Sequence, residues 1–180
     1  MAKLMAGDQM PDFTFNTPFE SGCTLGKIVQ QAPKTALLFL RYYGCTLCQL
    51  DIRQLTKHYE EICAGGGQFF VVLQSEPETI SSQIKKGDLP FEIICDPQQE
   101  LYQKLEIEAA ESMAAMADVK AMVKLAKAAA CGIKHGKYEG NEQQLPAAFV
   151  MDRERNLSYV RYARTLSDMP DVEELKSLLA

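Results

Sequence analysis

The stretch Thr35-Ala36-Leu37-Leu38-Phe39-Leu40-Arg41-Tyr42-Tyr43-Gly44-Cys45-Thr46-Leu47-Cys48 decides how this chain is read. Thr35 to Leu40 is a continuous apolar run of the length expected of a strand buried on both faces. Gly44 breaks it, and from Thr46 onward Leu47, Leu50, Leu55, Tyr59 and Ile62 recur at helical spacing, which predicts one helix ending before Gly65-Gly66-Gly67. Two thiols three residues apart across a strand-to-helix turn meet only where the backbone bends, and Gly44 followed by a helix start supplies that bend. The first helical turn carries unpaired N–H groups and the positive end of the macrodipole, so a thiolate there is stabilised and its pKa falls below the free value of about 8.5. This places Cys45 at or near the N-cap and Cys48 about one turn in, with Arg41 either adding a fixed positive charge or pointing to solvent.

Working outward, Phe69 to Leu73 reads as a second buried strand and Pro77 to Lys86 as a crossover helix opened by proline, which makes a βαβ unit. Phe91 to Cys95 is a third, weaker strand, and Asp96-Pro97 reads as the N-cap and first residue of a helix reaching Leu105. Toward the start, Asp12 to Phe15 alternates polar with apolar between Gly7, Pro11 and Pro18, a pattern for a short strand or hairpin. Residues 108–130 favour helix throughout, with Met116, Val119 and Val123 on one narrow stripe expected to pack on the body of the domain. A polar loop from His135 to Gln144 leads into Leu145-Pro146 and the strand Ala147 to Met151. Leu157 to Tyr162 follows as its antiparallel partner, and Asp171 to Leu179 closes the chain as an amphipathic helix. The expected architecture is α/β, a central mixed sheet flanked by helices, in a single domain over 1–180 with an N-terminal extension and a helical insertion at about 106–131.

Composition narrows the function. A formal net charge of −5, with both signs interspersed, offers no broad basic face, so nucleic acid and membrane partners are not expected. The opening residues MAKLMAGDQM do not read as a secretory signal, and the expected placement is cytoplasmic. Six cysteines are present, of which only Cys45 and Cys48 are closely spaced. A closed zinc site wants four ligands and no second pair exists, so no metal or other cofactor is assigned. The plainer alternative, a pair of inert core thiols, stays open. Cys63 lies fifteen residues past Cys48 on the expected helix, roughly 22 Å away at 1.5 Å per residue, too far to resolve the pair. Cys23, Cys95 and Cys131 read as packing, His58 as a surface histidine and His135 as part of a solvated loop.

With these motifs placed, the chain resembles the peroxiredoxin-like (AhpC/TSA) branch of the thioredoxin superfamily. The segments that carry the resemblance are Gly7 to Phe13, Arg41 to Cys48, Gln144 to Asp152 and the closing strand and helix. The resemblance implies a thioredoxin-like fold, and it implies that Pro146 is the proline held cis against the thiol pair. Typical members carry P-x-x-x-T/S-x-x-C with the last cysteine attacking peroxide; here Arg41 stands at the Pro position, Cys45 at the Thr/Ser position and Cys48 at the attacking one. The family arginine that polarises the peroxide has Pro146 in its place, with Arg161 or Arg164 as possible substitutes.

These departures favour a thiol–disulfide oxidoreductase in which Cys45 attacks and Cys48 resolves, with Pro146 and Arg41 completing the site. The alternative is a peroxiredoxin-like thiol peroxidase with Cys48 attacking a hydroperoxide and Cys45 resolving. A third is a redox-inert binding protein on the same scaffold. Expected partners are a disulfide-containing protein or a small thiol or hydroperoxide substrate, a thiol electron donor, and a second copy in a homodimer.

Overall fold

A computed structural model describes residues 2–180, so that of the opening stretch only Met1 lies outside the described residues. In chain order the elements are β1 (Thr14–Phe15), β2 (Cys23–Thr24), α1 (Leu25–Ile28), β3 (Thr35–Phe39), α2 (Thr46–Lys57), α3 (Tyr59–Ile62), β4 (Gln68–Leu73) and α4 (Pro77–Ser81). There follow β5 (Ile93–Cys95), α5 (Glu100–Lys104), α6 (Met113–Met116), α7 (Val119–Ala130), β6 (Ala147–Met151), β7 (Leu157–Tyr162) and α8 (Val172–Leu179). Five strands form a mixed sheet in the order β5-β4-β3-β6-β7, with β3, β4 and β5 parallel and β6 and β7 antiparallel to their neighbours. β1 and β2 make the short N-terminal hairpin.

The central strands are buried on both faces because, apart from Thr35 and Gln68 at their starts, they are apolar at every position. Alternation then sends Ala36, Leu38, Leu40, Phe69, Val71 and Val150 to one face, where α2, α4 and α8 cover them through Leu47, Ile52, Ile80 and Leu175. Leu37, Phe39, Phe70, Val72 and Phe149 go to the other, under Phe13, Leu25, Leu101 and Tyr102. β3 lies at the centre of the sheet, paired with β4 and β6, so the residues just past its C-terminal end are held by three strands at once.

Several expected elements are shorter or interrupted, each for a local reason. The helix after the cysteine pair breaks at His58 (φ −104°, ψ 14°). Thr56 Oγ1 donates back to Ile52 O at 2.7 Å just before the break, a bond of the kind that bends helices. The crossover helix ends at Ser81 rather than Lys86 and yields to a turn in which Lys85 N donates to Asp88 and Gly87 sits at φ +93°. Asp96 does cap a helix, but from further upstream than expected: its carboxylate accepts from Glu100 N, Leu101 N and Tyr102 N at 3.0, 2.8 and 3.4 Å, with Gln99 at φ 60° between. The long helix expected over 108–130 is two, because Asp118 leaves the helix and caps α7, accepting from Ala121 N at 2.7 Å. The expected inward stripe is therefore wrong in two of its three positions: Met116 is fully buried, but Val119 and Val123 are 77% and 51% exposed. Ala121 and Ala128 face the body instead.

Tyr102 ties the second core to the end of β3. Its fully buried hydroxyl lies 2.6 Å from Leu40 O and 3.0 Å from Val72 O and shares its proton between them. Tyr102→Phe should destabilise the fold by about 1–2 kcal/mol, the cost of losing a buried hydrogen bond, read as a lowered urea midpoint with an unchanged m-value.

Candidate active site

Cys45 is the N-cap of α2, and its sulfur accepts from Cys48 N at 3.4 Å, so one of the unpaired N–H groups of the first helical turn points at it. Arg41 settles the choice left open by its sequence position. It is 8% exposed, and its guanidinium donates to Cys45 Sγ at 2.9 Å through Nη2 and to Glu142 O at 2.7 Å through Nη1. One end of the fork thus fixes the other on the sulfur.

Neither thiol is in a disulfide. The Cys48 thiol donates to Cys45, and that bond, together with the Arg41 charge and the Cys48 N–H, outweighs burial and holds the Cys45 pKa down to about 6. Burial and the same bond act the other way on Cys48, whose thiol is pushed well above its ordinary range. Near neutral pH the pair holds one proton, on Cys48, and one negative charge, on Cys45.

The polar loop expected at 135–144 is a cover. Gly136 N donates to Gly44 O at 2.8 Å, and Gln49 Nε2 donates to Gly44 O and Lys134 O at 3.0 and 2.9 Å. Deeper in, buried Gln74 at the end of β4 donates to Arg41 O and Asn141 O, both at 3.2 Å, and accepts from Asn141 N at 2.9 Å. The Tyr42 hydroxyl lies 3.0 Å from His135 Nε2, and the His135 ring stacks on Tyr138 at 4.0 Å. His135 is solvent-exposed, as expected of its loop, yet it joins this cover. Fastened in this way, the segment leaves Cys45 with no exposed surface and Cys48 with 4%. The fit leaves no room at Gly44, where a Cβ would stand 2.4 Å from Lys137 O and 2.7 Å from Lys137 N.

The register of β6 on β3 pairs Ala147 with Phe39, so Pro146 stands beside the C-terminal end of β3. No peptide bond among the described residues is cis, so the expectation of a cis bond before Pro146 is corrected. Gln144, Leu145 and Pro146 are held extended into β6, Gln144 Nε2 donating to Ile107 O at 2.9 Å and Ala163 N donating to Pro146 O at 3.0 Å. Arg161 pairs with Glu174 at 2.7 Å beside α8, and Arg164 is exposed; neither meets the thiols. Cys95 is a packed thiol raised to about 12 chiefly by burial. A cavity of about 910 Å³ lies between α2, α7 and residues 161–175, and neither cysteine of the pair lines it. Gln74, Tyr42, Glu142 and the Gly136 contact went unforeseen; the signal available was the pair of glycines, Gly44 and Gly136, that lets two backbones touch.

A mixed sheet of this order, with a reduced cysteine pair at the N-terminus of the helix after its central strand, defines a thioredoxin-fold thiol protein of the peroxiredoxin type. The AhpC/TSA family model matches residues 6–160, and the chain belongs to that family. Among curated proteins it is 29% identical over 89 residues to peroxiredoxin-like 2C of Takifugu rubripes, a match spanning 48% of this chain and only 39% of that protein. Among solved structures it resembles the peroxidoxin BcpB of Mycobacterium tuberculosis (TM-score 0.66, 10% identity, 97% of this chain and 95% of that one). It also resembles the thiol peroxidase of Chromobacterium violaceum (0.65, 12%, 99% and 87%). A third likeness is to a putative thiol:disulfide interchange protein DsbE of Chlorobium tepidum (0.54, 14%, 88% and 86%). At these identities the likeness speaks for the fold alone.

Two outcomes test the site. Arg41→Gln should raise the Cys45 pKa from about 6 toward the free-thiol value of about 8.5, seen as a rightward shift of the thiolate absorbance titration; an unmoved curve would remove Arg41 from the site. Gly44→Ala should push the Lys137 backbone away, so that at about pH 8, where Cys45 is already ionised, iodoacetamide alkylates Cys45 several-fold faster than in wild type.

Proposed function

We propose that the protein is a thiol–disulfide oxidoreductase in which Cys45 is the nucleophile and Cys48 the resolving thiol. The observation that carries this reading is geometric: Arg41 Nη2 at 2.9 Å and Cys48 N at 3.4 Å both donate to Cys45 Sγ, which lowers the Cys45 pKa and favours it as the attacking sulfur. The Cys45 thiolate attacks one sulfur of a substrate disulfide, whose other sulfur leaves as a thiolate and takes up a proton. Cys48 then gives up its proton to the departing group and attacks Cys45, forming the Cys45–Cys48 disulfide and releasing the second substrate thiol. Two electrons pass from the dithiol to the substrate, and an external thiol donor returns them. Arg41 holds the attacking sulfur ionised, and Pro146 stands at the start of β6, opposite the end of β3 that leads to the thiols.

A second reading, a thiol peroxidase, is supported by the family and by the peroxidases among its structural neighbours. The same geometry assigns the attack on the O–O bond to Cys45 rather than Cys48. Cys45 becomes the sulfenic acid as the alcohol leaves, and Cys48 displaces water from it to give the same disulfide.

Mass spectrometry of wild type, Cys45→Ser and Cys48→Ser after a stoichiometric disulfide or hydrogen peroxide separates the readings. Disulfide exchange predicts a mixed-disulfide adduct on Cys45 in Cys48→Ser, formed much faster than any sulfenic acid. Peroxidase chemistry predicts rapid sulfenic acid at Cys45 in the same variant. Sulfenic acid at Cys48 in Cys45→Ser would reverse the assignment, and no intramolecular disulfide in wild type under either oxidant would leave a binding protein.

A further inference from the structure

Charge is not evenly mixed along the chain: residues 21–50 carry three cations and no acidic residue, and residues 106–118 carry four carboxylates and no cation. Between Val119 and Tyr138 there are five lysines, Lys120, Lys124, Lys127, Lys134 and Lys137, and no acidic residue, in a chain of net charge −5. This stretch is α7 followed by the cover over Cys45.

The orientation of α7 is the reverse of an ordinary surface helix. Its inward residues are the small Ala121 and Ala128, the latter packed with Leu50 of α2 and Ile133 of the cover. At 100° per residue the opposite crest is Val119, Val123, Ala126 and Ala130, with Met122 to one side and Lys120 and Lys127 to the other. Val119, Met122 and Val123 are 77%, 66% and 51% exposed. A solvent-facing crest without a charged residue, edged by cations, is the composition of a binding surface. Lys124 is taken up by Asp51 at 2.7 Å and Lys137 lies 3.9 Å from Glu139, while Lys127 and Lys134 form no ion pair among the described residues.

We infer that the apolar crest of α7, with Lys120, Lys127 and Lys134 around it, is the docking surface for an acidic disulfide-bearing polypeptide that the Cys45–Cys48 pair reduces. The inference rests on the dithiol reading above and names its substrate class. Charge complementarity selects the occupant: an acidic chain gains from these lysines. A second copy docked by twofold symmetry would instead set the same lysines against one another. Position selects the function, because α7 leads through residues 131–135 into the segment whose Gly136 sits on Gly44, next in sequence to the attacking Cys45.

The probe is a peptide holding one disulfide, with leucines beside it and glutamates flanking it, compared with the same peptide carrying glutamines for the glutamates. Reduced protein should reduce the glutamate peptide about tenfold faster at low salt, with the ratio falling toward one as salt is raised. Lys120→Glu/Lys127→Glu should abolish or invert that preference while leaving reduction of uncharged 2-hydroxyethyl disulfide unchanged. Binding is followed separately with the glutamate peptide carrying serines for its cysteines: amide shifts should concentrate on Val119 to Lys127 and Lys134 to Lys137. Equal rates for the two peptides, or peptide shifts that avoid α7, would overturn the inference. Amide shifts on α7 with anionic phosphatidylglycerol vesicles and none with the peptide would overturn it in favour of a membrane. If 2-hydroxyethyl disulfide is not reduced at all, the dithiol reading fails, and the serine peptide still decides whether the surface takes an acidic chain.

Discussion

The contact between the Arg41 guanidinium and the Cys45 sulfur, 2.9 Å long and out of contact with solvent, is the constraint on which the rest of the site depends. A buried guanidinium is costly unless its charge is matched, and a buried thiolate is costly for the same reason. Each makes the other tolerable, and Cys48 contributes by donating to the sulfur through both its backbone N–H and its thiol. The sheet supplies the rigidity this pairing needs. Arg41 leaves the centre of the sheet with its carbonyl held by Gln74 N at 2.7 Å, directly after Leu40, whose carbonyl meets the Tyr102 hydroxyl.

Burial of this kind is at odds with exchange chemistry, since a sulfur with no exposed surface cannot meet a polypeptide disulfide. The segment over the turn is irregular backbone, fastened to Gly44, Gln49, Gln74, Tyr42 and Arg41 by hydrogen bonds, so a substrate reaches the sulfur only where these bonds open. The fastening through Gln74 and Glu142 O is shared with Arg41, so opening at that end would also loosen the arginine.

Much of the fold was legible because the central strands are almost wholly apolar and the helices between them are marked by Gly44 and Pro77. The cysteine pair was legible for the same reason, since a strand-to-helix turn is a local feature. What lay beyond the sequence was long-range: Gln74, Asn141 and Glu142 reach Arg41 and Cys45 from distant positions and have no periodic signature. Resemblance led the reading toward a cis proline, but the backbone around Leu145 and Pro146 is held extended by bonds to Glu108 and Ala163 that only the folded chain supplies.

The misplaced stripe on α7 is instructive because hydrophobic periodicity detected it correctly and assigned it to the wrong side. Periodicity reports that a helix has an apolar face; it does not report what covers that face. Here the body of the protein takes the alanines, which let α7 approach α2 closely, as Ala128 does against Leu50. The larger residues Val119, Met122 and Val123 are left outside. Asp118 forces this choice: by capping α7 through Ala121 N, and by accepting from Thr165 and Ser167, it fixes both the start and the rotation of the helix. An apolar crest held outward by a cap and two hydroxyls is a defined surface rather than a packing error.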